Sequence, residues 1–396
     1  MPTKILDLEF DQIPAVITGL DGYPRAMILV RMRGRPVERL YVPISDGMIR
    51  REELCSTILR SAKRPFWESW LREILSYNPD PADERPNPRA TIAVCTRDRA
   101  DDLRCCLEAL TQFYGAEPDV EILVVDNCSS SGATKETVQA FPSVRYTYEE
   151  RPGLNRARNK ALREARHEIV AFIDDDALPD ANWLQALTRD FRFPNVACVT
   201  GLTMPIELET PAQEAFEEYT TFSRGFYRQT FTRSRIHPVG AGVVGAGTNM
   251  ALRRSVLEQT GPFDEALDAG TPTFSGGDTE MFSRLLAAGY QIIYEPCALN
   301  WHRHRRSWKE LRRAIYGYGV GVYAFWTRKF LIDREWYVIP VALHWLLTGQ
   351  IPTWLRSLLR LKNAPPLDLI SLEIWGCLMG PWAYLKSRRQ DLSVTA

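Results

Sequence analysis

The middle of this 396-residue chain predicts an α/β fold with a mostly parallel sheet covered on both faces. Two observations carry that expectation. From Thr91 onward, short apolar strand patterns alternate with helix patterns. Several of these strands also stop abruptly at polar residues, most sharply in "EIVAFIDDDALPD", where the run Ile169 to Ile173 meets Asp174, Asp175 and Asp176. In such sheets ligands bind at the carboxyl ends of the strands.

Before the alternation, "RAMILVRMRGRPVERLYVPI" reads as two strands joined by a turn at "MRGRP", with Gly34 free to take positive φ. The helix "REELCSTILRSAKRPFWESWLREI" follows, broken near Pro65. "YNPDPADERPNPRA" is rich in Pro and acids and reads as a linker. Residues 1–87 are thus expected to form a small α+β accessory unit with its linker. The strands "TIAVCT", "VEILVVDN", "VRYTYEE", "EIVAFIDDD" and "VACVTGLT" then alternate with the helices "ADDLRCCLEALTQF", "TKETVQAF", "NRARNKALREAR" and "NWLQALTRDF". They begin a principal domain expected over residues 88–312.

Composition narrows the function. Lys+Arg and Asp+Glu are equal at 49 each, which gives no global basic field for nucleic acid. Eight scattered cysteines offer neither zinc spacing nor a disulfide framework, so they read as reduced thiols of a cytoplasmic protein. "MPTKILDLEFDQIP" carries acids early and lacks an apolar core of signal length, so it does not read as a secretory signal.

The strand ends converge on one rim. In "CTRDRADD", Thr96 supplies a hydroxyl, and Arg97 and Arg99 supply guanidiniums suited to phosphate, although Thr96 or Asp98 would also serve as a helix cap. Asp126 ends a strand, where it accepts from a base or ribose or caps the next turn. Arg158 and Asn159 lie in the early turns of a helix with Asn155 as candidate cap, and face either the rim or solvent. Three adjacent carboxylates repel one another and call for a cation. Mg2+ or Mn2+ takes oxygen ligands and often shares them with a phosphate, so rim acids with arginines read as a metal-diphosphate site.

Six stretches resemble family 2 glycosyltransferases of the GT-A fold: "TIAVCTRDRADDLRCCLEAL", "EILVVDNCSSSGAT", "RPGLNRARNKALREARHEIVAFIDDDALPD", "GAGTNMALRRSVLEQTGPFDEAL", "GGDTEMFSRLLAAGYQIIYEP" and "WHRHRRS". The resemblance implies a Rossmann-like nucleotide-diphospho-sugar transferase fold. It also implies an inverting, hexosyltransferase-like enzyme using a divalent metal and a glycan or lipid-linked acceptor. It places Thr96, Arg97, Arg99, Asp126, Arg158, Asp174 and Asp175 near the nucleotide-sugar, and Asp174, Asp176 and His302 at the metal, with His304 close behind. Where the family commonly has Glu-Asp, this chain has Gly277-Asp278, so the general base maps to Asp278, with Glu280 as second candidate. Gly240, Gly242 and Gly245 spell GxGxxG, but too late in the chain for a dinucleotide fingerprint; the stretch reads as backbone close to the donor sugar. The altered Gly277-Asp278 pair keeps open a second reading, a non-catalytic nucleotide-sugar-binding or scaffold protein on a membrane. A nucleotidyltransferase is disfavoured because "CTRDRADD" has no glycine, and a hydrolase because the rim carries arginines.

Residues 313–396 are expected to be helical and Trp-rich. "WYVIPVALHWLLTGQIPTWL" has no Asp, Glu, Lys or Arg, and is followed by Arg356, Arg360 and Lys362. It is about long enough to span a bilayer, but with Pro340 and Pro352 inside it reads rather as a segment lying on anionic lipid, on the inner face of the cell membrane, or as a tail packed on its own domain, with a true span the less favoured reading. Arg303, Arg305 and Arg306 read as one basic cluster for diphosphate or lipid head groups.

Overall fold

The computed structural model describes residues 2–76, 89–220 and 222–395; the expected linker over residues 77–88 lies outside them. The N-terminal elements are β1 (Thr3–Glu9), β2 (Val16–Ile17), β3 (Arg25–Met32), β4 (Arg35–Pro43), β5 (Ile49–Arg50), α1 (Arg51–Ser61) and α2 (Arg64–Ile74). Arg33 and Gly34 both take positive φ, which makes the tight β3–β4 hairpin. The helix does break near Pro65, into α1 and α2, with Pro65 in the first turn of α2 where its missing N–H costs nothing. The three-stranded sheet β1-β3-β4 is not free-standing: Met27 and Leu29 of β3 belong to the same apolar core as Phe172, Met250 and Phe282. Arg31 pairs with Asp7 and with Asp180, at 2.7 and 2.6 Å.

The main sheet is built from β6 (Ala90–Thr96), β7 (Val120–Asn127), β8 (Val144–Glu149), β9 (Ile169–Asp174), β10 (Ala177–Pro179), β11 (Val196–Pro205), β12 (Gln229–Phe231), β13 (Asn249–Arg253) and β14 (Gln291–His302). Its order is β10-β14-β11-β13-β9-β6-β7-β8, with β12 on β14. The helices α3 (Ala100–Tyr114), α4 (Ala133–Gln139), α5 (Leu154–Glu164) and α6 (Trp183–Thr188) connect the first strands, as the alternation predicts. The sheet is mixed rather than mostly parallel, because β13 runs antiparallel between β9 and β11. Its pattern "NMALR" is as apolar as its neighbours', and direction is not written in a buried strand's composition.

The chain runs outward from β6 through β7 to β8, then returns to place β9 on the other side of β6. That reversal opens a crevice between the ends of β6 and β9, where Cys95 lies beside Asp174. On the far side, Thr96 pairs with Asp126. The three strand ends singled out in the sequence therefore do share one rim.

The later helices are α7 (Pro211–Tyr219), α8 (Leu257–Thr260), α9 (Gly277–Ala287), α10 (Trp308–Leu331), α11 (Val338–Trp345), α12 (Ile351–Leu358) and α13 (Leu367–Thr395), of which α7, α9 and α10 send side chains to the rim. A Ser307–Glu310 capping box starts α10. Helix α13 crosses α10 so closely that a side chain at Gly376 would come within 3.0 Å of the Val320 nitrogen. Among the described residues no helix is long and apolar enough to cross a membrane.

Candidate active site

A cavity of about 310 Å³ lies over the crevice. Thr96, Arg97, Arg99, Arg158, Asp174, Asp175, Asp278 and His302 all line it. The sequence thus singled out eight residues, from four of the six quoted stretches, that meet in one place. Asp126 does not line it, but its neighbour Asn127 does. The Asp126 carboxylate is 2 % exposed and accepts from Ser129 N–H at 3.1 Å and Tyr146 O–H at 2.9 Å. It therefore fixes the turn after β7.

The three acids have different partners. Asp175 accepts from Thr96 Oγ1 at 2.7 Å and from Arg99 at 3.0 Å, tying the end of β6 to the turn after β9. Burial pushes its carboxyl up to about 7, against the pull of Arg99 and with help from the Asp176 charge. Asp176 meets Arg99 at 3.0 Å, Arg305 at 3.1 Å and His302 Nε2 at 3.1 Å. Burial alone would raise Asp176; His302, Arg305 and Arg99 outweigh it and hold the carboxyl well below the usual range. Burial and the Asp176 charge raise Asp174.

Asp174, Asp176 and His302 each bring one ligand atom within 4.8 Å of the others. The buried Asp176 Oδ1 has no hydrogen bond, although His302 Nε2 stands opposite it. Two carboxylate oxygens and an imidazole nitrogen suit Mn2+ or Mg2+. His304 lies behind His302, Nδ1 to Nδ1 at 3.3 Å, and its Nε2 is 3.0 Å from Glu217 Oε2. Burial holds His304 below the usual histidine value, against the pull of Glu217. Glu217 of α7 in turn pairs with Arg39 of β4. Such outer partners orient a metal-binding imidazole. The i, i+2 spacing raised both histidines; the geometry separates them into one at the carboxylates and one behind it.

Asp278 enters from the first turn of α9. Its Oδ1 accepts from Thr279 N–H and its Oδ2 from Gly247 N–H, both at 2.7 Å. Positive backbone dipoles of a helix start favour an anion there. Glu280, two residues on, is fully buried; Arg284 holds both its oxygens at 2.7 Å and Arg328 adds a contact at 2.9 Å. It does not line the cavity, so Asp278 is the α9 carboxylate that faces it.

Arg158 is not on a solvated face: it is 4 % exposed, pairs with Asp268 at 2.7 Å and donates to Asn155 Oδ1 at 3.1 Å. Burial works against its cation, and Asp268, Asp278 and Asp174 outweigh that, raising its pKa. Asp268 carries no mark in the sequence that singles it out. Its signal is a non-glycine residue at φ 84°, a conformation that persists only where the surroundings enforce it. A Cβ at Gly277 would lie 2.6 Å from Asp268 Oδ2 and would overlap Asn155 Nδ2. Asp268 thus fills the place next to Asp278 that a residue-277 side chain would take.

Other local expectations need correcting. Asn155 is not the cap of α5; Gly153 precedes that helix, and the Asn155 amide donates to Asp264 O at 2.8 Å. Neither Thr96 nor Asp98 caps α3: Arg99 holds the cap position, and Asp98 accepts from Ser130 N–H at 2.6 Å. Arg303, Arg305 and Arg306 are not one cluster, since they pair with Asp102, Asp176 and Glu207 respectively. Of the three, Arg305 lines the cavity. Gly240, Gly242 and Gly245 do not line the cavity, whereas Gly247 just after them does and lies against Asp278 and Arg158, where a Cβ would meet Asp278 Cβ at 3.1 Å.

A mixed GT-A-type sheet, with acids and arginines at the switch point and a carboxylate entering from a later helix, defines a nucleotide-sugar-dependent glycosyltransferase. The profile "Glycosyl transferase family 2" matches residues 91–261 of the chain. It is 27 % identical over 271 residues to Glycosyltransferase AglE of Haloferax volcanii, covering 67 % of this chain and 82 % of that one. It is 27 % identical over 245 residues to the pre-mycofactocin glycosyltransferase of Mycobacterium tuberculosis, covering 61 % of this chain but 48 % of the relative. In fold it is similar to mannosyltransferase PcManGT from Pyrobaculum calidifontis, solved with GDP-Man and Mn2+ (TM-score 0.50, 18 % identity, 79 % of this chain and 93 % of that chain).

Proposed function

We propose that this enzyme moves a sugar, with inversion at the anomeric carbon, from a nucleotide-diphosphate donor to a hydroxyl of a glycan or lipid-linked acceptor. One observation carries the reading: Asp174 and His302, two of three candidate metal ligands, and the carboxylate of Asp278 line the same cavity. Asp174, Asp176 and His302 would hold Mn2+ or Mg2+. When bound there, the ion would supply positive charge to offset that growing on the leaving diphosphate.

The chain's own residues do the rest. Arg99 and Arg305, already gathered by Asp176, add guanidinium charge on the diphosphate side. Thr96 and Arg97 meet the nucleotide, and Asp126 supports them from behind by fixing the turn after β7. Arg158 acts as a fixed charge beneath the donor, and Asp175 positions Thr96 and Arg99. Asp278, held by Gly247 N–H and the α9 start, takes the acceptor hydroxyl's proton as the diphosphate leaves from the opposite face. His304 and Glu217 set the orientation of the His302 ring.

The test is donor turnover. A panel of nucleotide-sugars, GDP-Man included, is incubated with the protein and acceptor glycans, and release of nucleoside diphosphate is followed with Mn2+ and with EDTA. We expect release from at least one donor, lost in EDTA and restored by Mn2+. Release that ignores EDTA would remove the metal from the account; binding without turnover across the panel would favour the non-catalytic reading.

A further inference from the structure

The C-terminal helices expose more apolar surface than packing explains. Along α11, α12 and the π-helical segment between them (Leu346–Gln350), the exposed residues Ile339, Leu343, Leu347, Ile351, Leu355 and Leu358 follow one another in steps of four, four, four, four and three. In an α-helix each step of four drifts by about 40°. The π segment, with its wider turn, counters that drift, so the run remains a stripe. A second stripe, Trp375, Leu378, Trp382 and Leu385, runs along α13. Leu347, Trp375, Leu378 and Trp382 are each more than half exposed, at 61, 56, 62 and 56 %. The two helical rods are neighbours, joined by Gln350 to Glu373 at 3.3 Å and Trp354 to Ser371 at 3.1 Å. On α13 the stripe lies opposite Gly376 and Gly380, which face α10. An apolar area of this extent on a folded chain marks a binding surface.

Charge decides what covers it. Arg356, Arg360, Lys362, Lys386, Arg388 and Arg389 border the stripes and are all exposed. Between residues 336 and 390 the acids are Asp368 and Glu373, and both already have partners in the chain: Asp368 in Trp308 and Arg312, Glu373 in Tyr219 and Gln350. Within this span the border is therefore basic, and the next acid along the chain is Asp391. A second copy of the chain would set these cations against themselves, whereas an anionic bilayer would satisfy both features. Trp375 and Trp382 have the amphipathic rings that settle at head-group level, and Lys386 lies over the Trp382 ring at 5.0 Å.

We propose that the outer side of α11, α12 and α13 is a peripheral binding face for anionic lipid membrane. It lies flat rather than spanning, since among the described residues no helix is both long and apolar enough to cross. Tyr318 of α10 lines the catalytic cavity, and α13 packs on α10, so the face sits one helix away from the site. Lipid binding by this face does not depend on which reaction the cavity carries out.

The experiment is flotation with phosphatidylcholine vesicles, plain or with about one third phosphatidylserine, at low and high salt. The full-length protein should float with the anionic vesicles, and less so in high salt. Trp375→Glu with Trp382→Glu should cut the bound fraction at least tenfold, and so should Arg356→Glu with Arg360→Glu and Arg388→Glu. The latter set is exposed, so its folding is preserved, which a thermal melt checks. Two results would overturn the proposal: unchanged flotation in both sets, or no flotation of the wild type. A wild type that ignores vesicles and sediments as a dimer would assign the face to a second copy.

Discussion

Asp278→Asn should lower sugar transfer by about 10²–10⁴-fold while nucleotide binding stays close to wild type. The amide cannot take a proton from the acceptor, yet it retains most of the fold contacts. Its oxygen still accepts from Thr279 N–H. The bond from Gly247 N–H is the one lost, at a cost of about 1 kcal/mol. A small drop in melting temperature with full nucleotide binding and almost no product is therefore the expected triad of readouts. Near-normal turnover would remove Asp278 from the base role. Glu280 offers no alternative, because Arg284 and Arg328 hold it in the interior.

The second large effect comes from restoring what the family resemblance would place at position 277. Gly277→Glu puts a side chain where Asp268 and Asn155 already stand. Neither neighbour yields easily: Asp268 is paired with Arg158, and Asn155 bonds both Arg158 and Asp264 O. Overpacking costs about 1–3 kcal/mol, and displacing one partner of a buried ion pair about 3–5 kcal/mol. The variant should lose at least about 3 kcal/mol in a denaturant titration, and its transfer activity with it. Adding Asp268→Ala should recover part of that loss, since the new Glu carboxylate then has room beside Arg158. A fully additive double variant would refute the claim that Asp268 stands in for the missing side chain.

Much of this site is legible in the sequence, and the reason is local. Strand ends in an α/β sheet project their last residues to one rim, so alternation alone places Thr96, Asp126 and Asp174 together. The clash of three adjacent acids points to a cation, and the fold adds His302 from the far end of β14. Pairing across the chain is what the sequence hides. Arg158 looks like part of a basic helix face until Asp268, 110 residues later, is seen against it. Arg303, Arg305 and Arg306 look like a cluster until an extended backbone sends them to three carboxylates. The direction of β13, held between two apolar neighbours, has no compositional mark either. The N-terminal sheet, which shows no chemistry as sequence, reaches the outer partners of the candidate metal ligands through Arg39 and Glu217.

The central claim is that Asp174, Asp176 and His302 hold the ion on which the diphosphate rests, with Asp278 outside that set. Mn2+ binding followed by electron paramagnetic resonance, in the presence of a nucleoside diphosphate, tests it most directly. The wild type and Asp278→Asn should each bind one Mn2+ per chain with similar affinity, while Asp176→Ala and His302→Ala should each lose at least tenfold. Equal Mn2+ affinity across all four proteins would contradict the account.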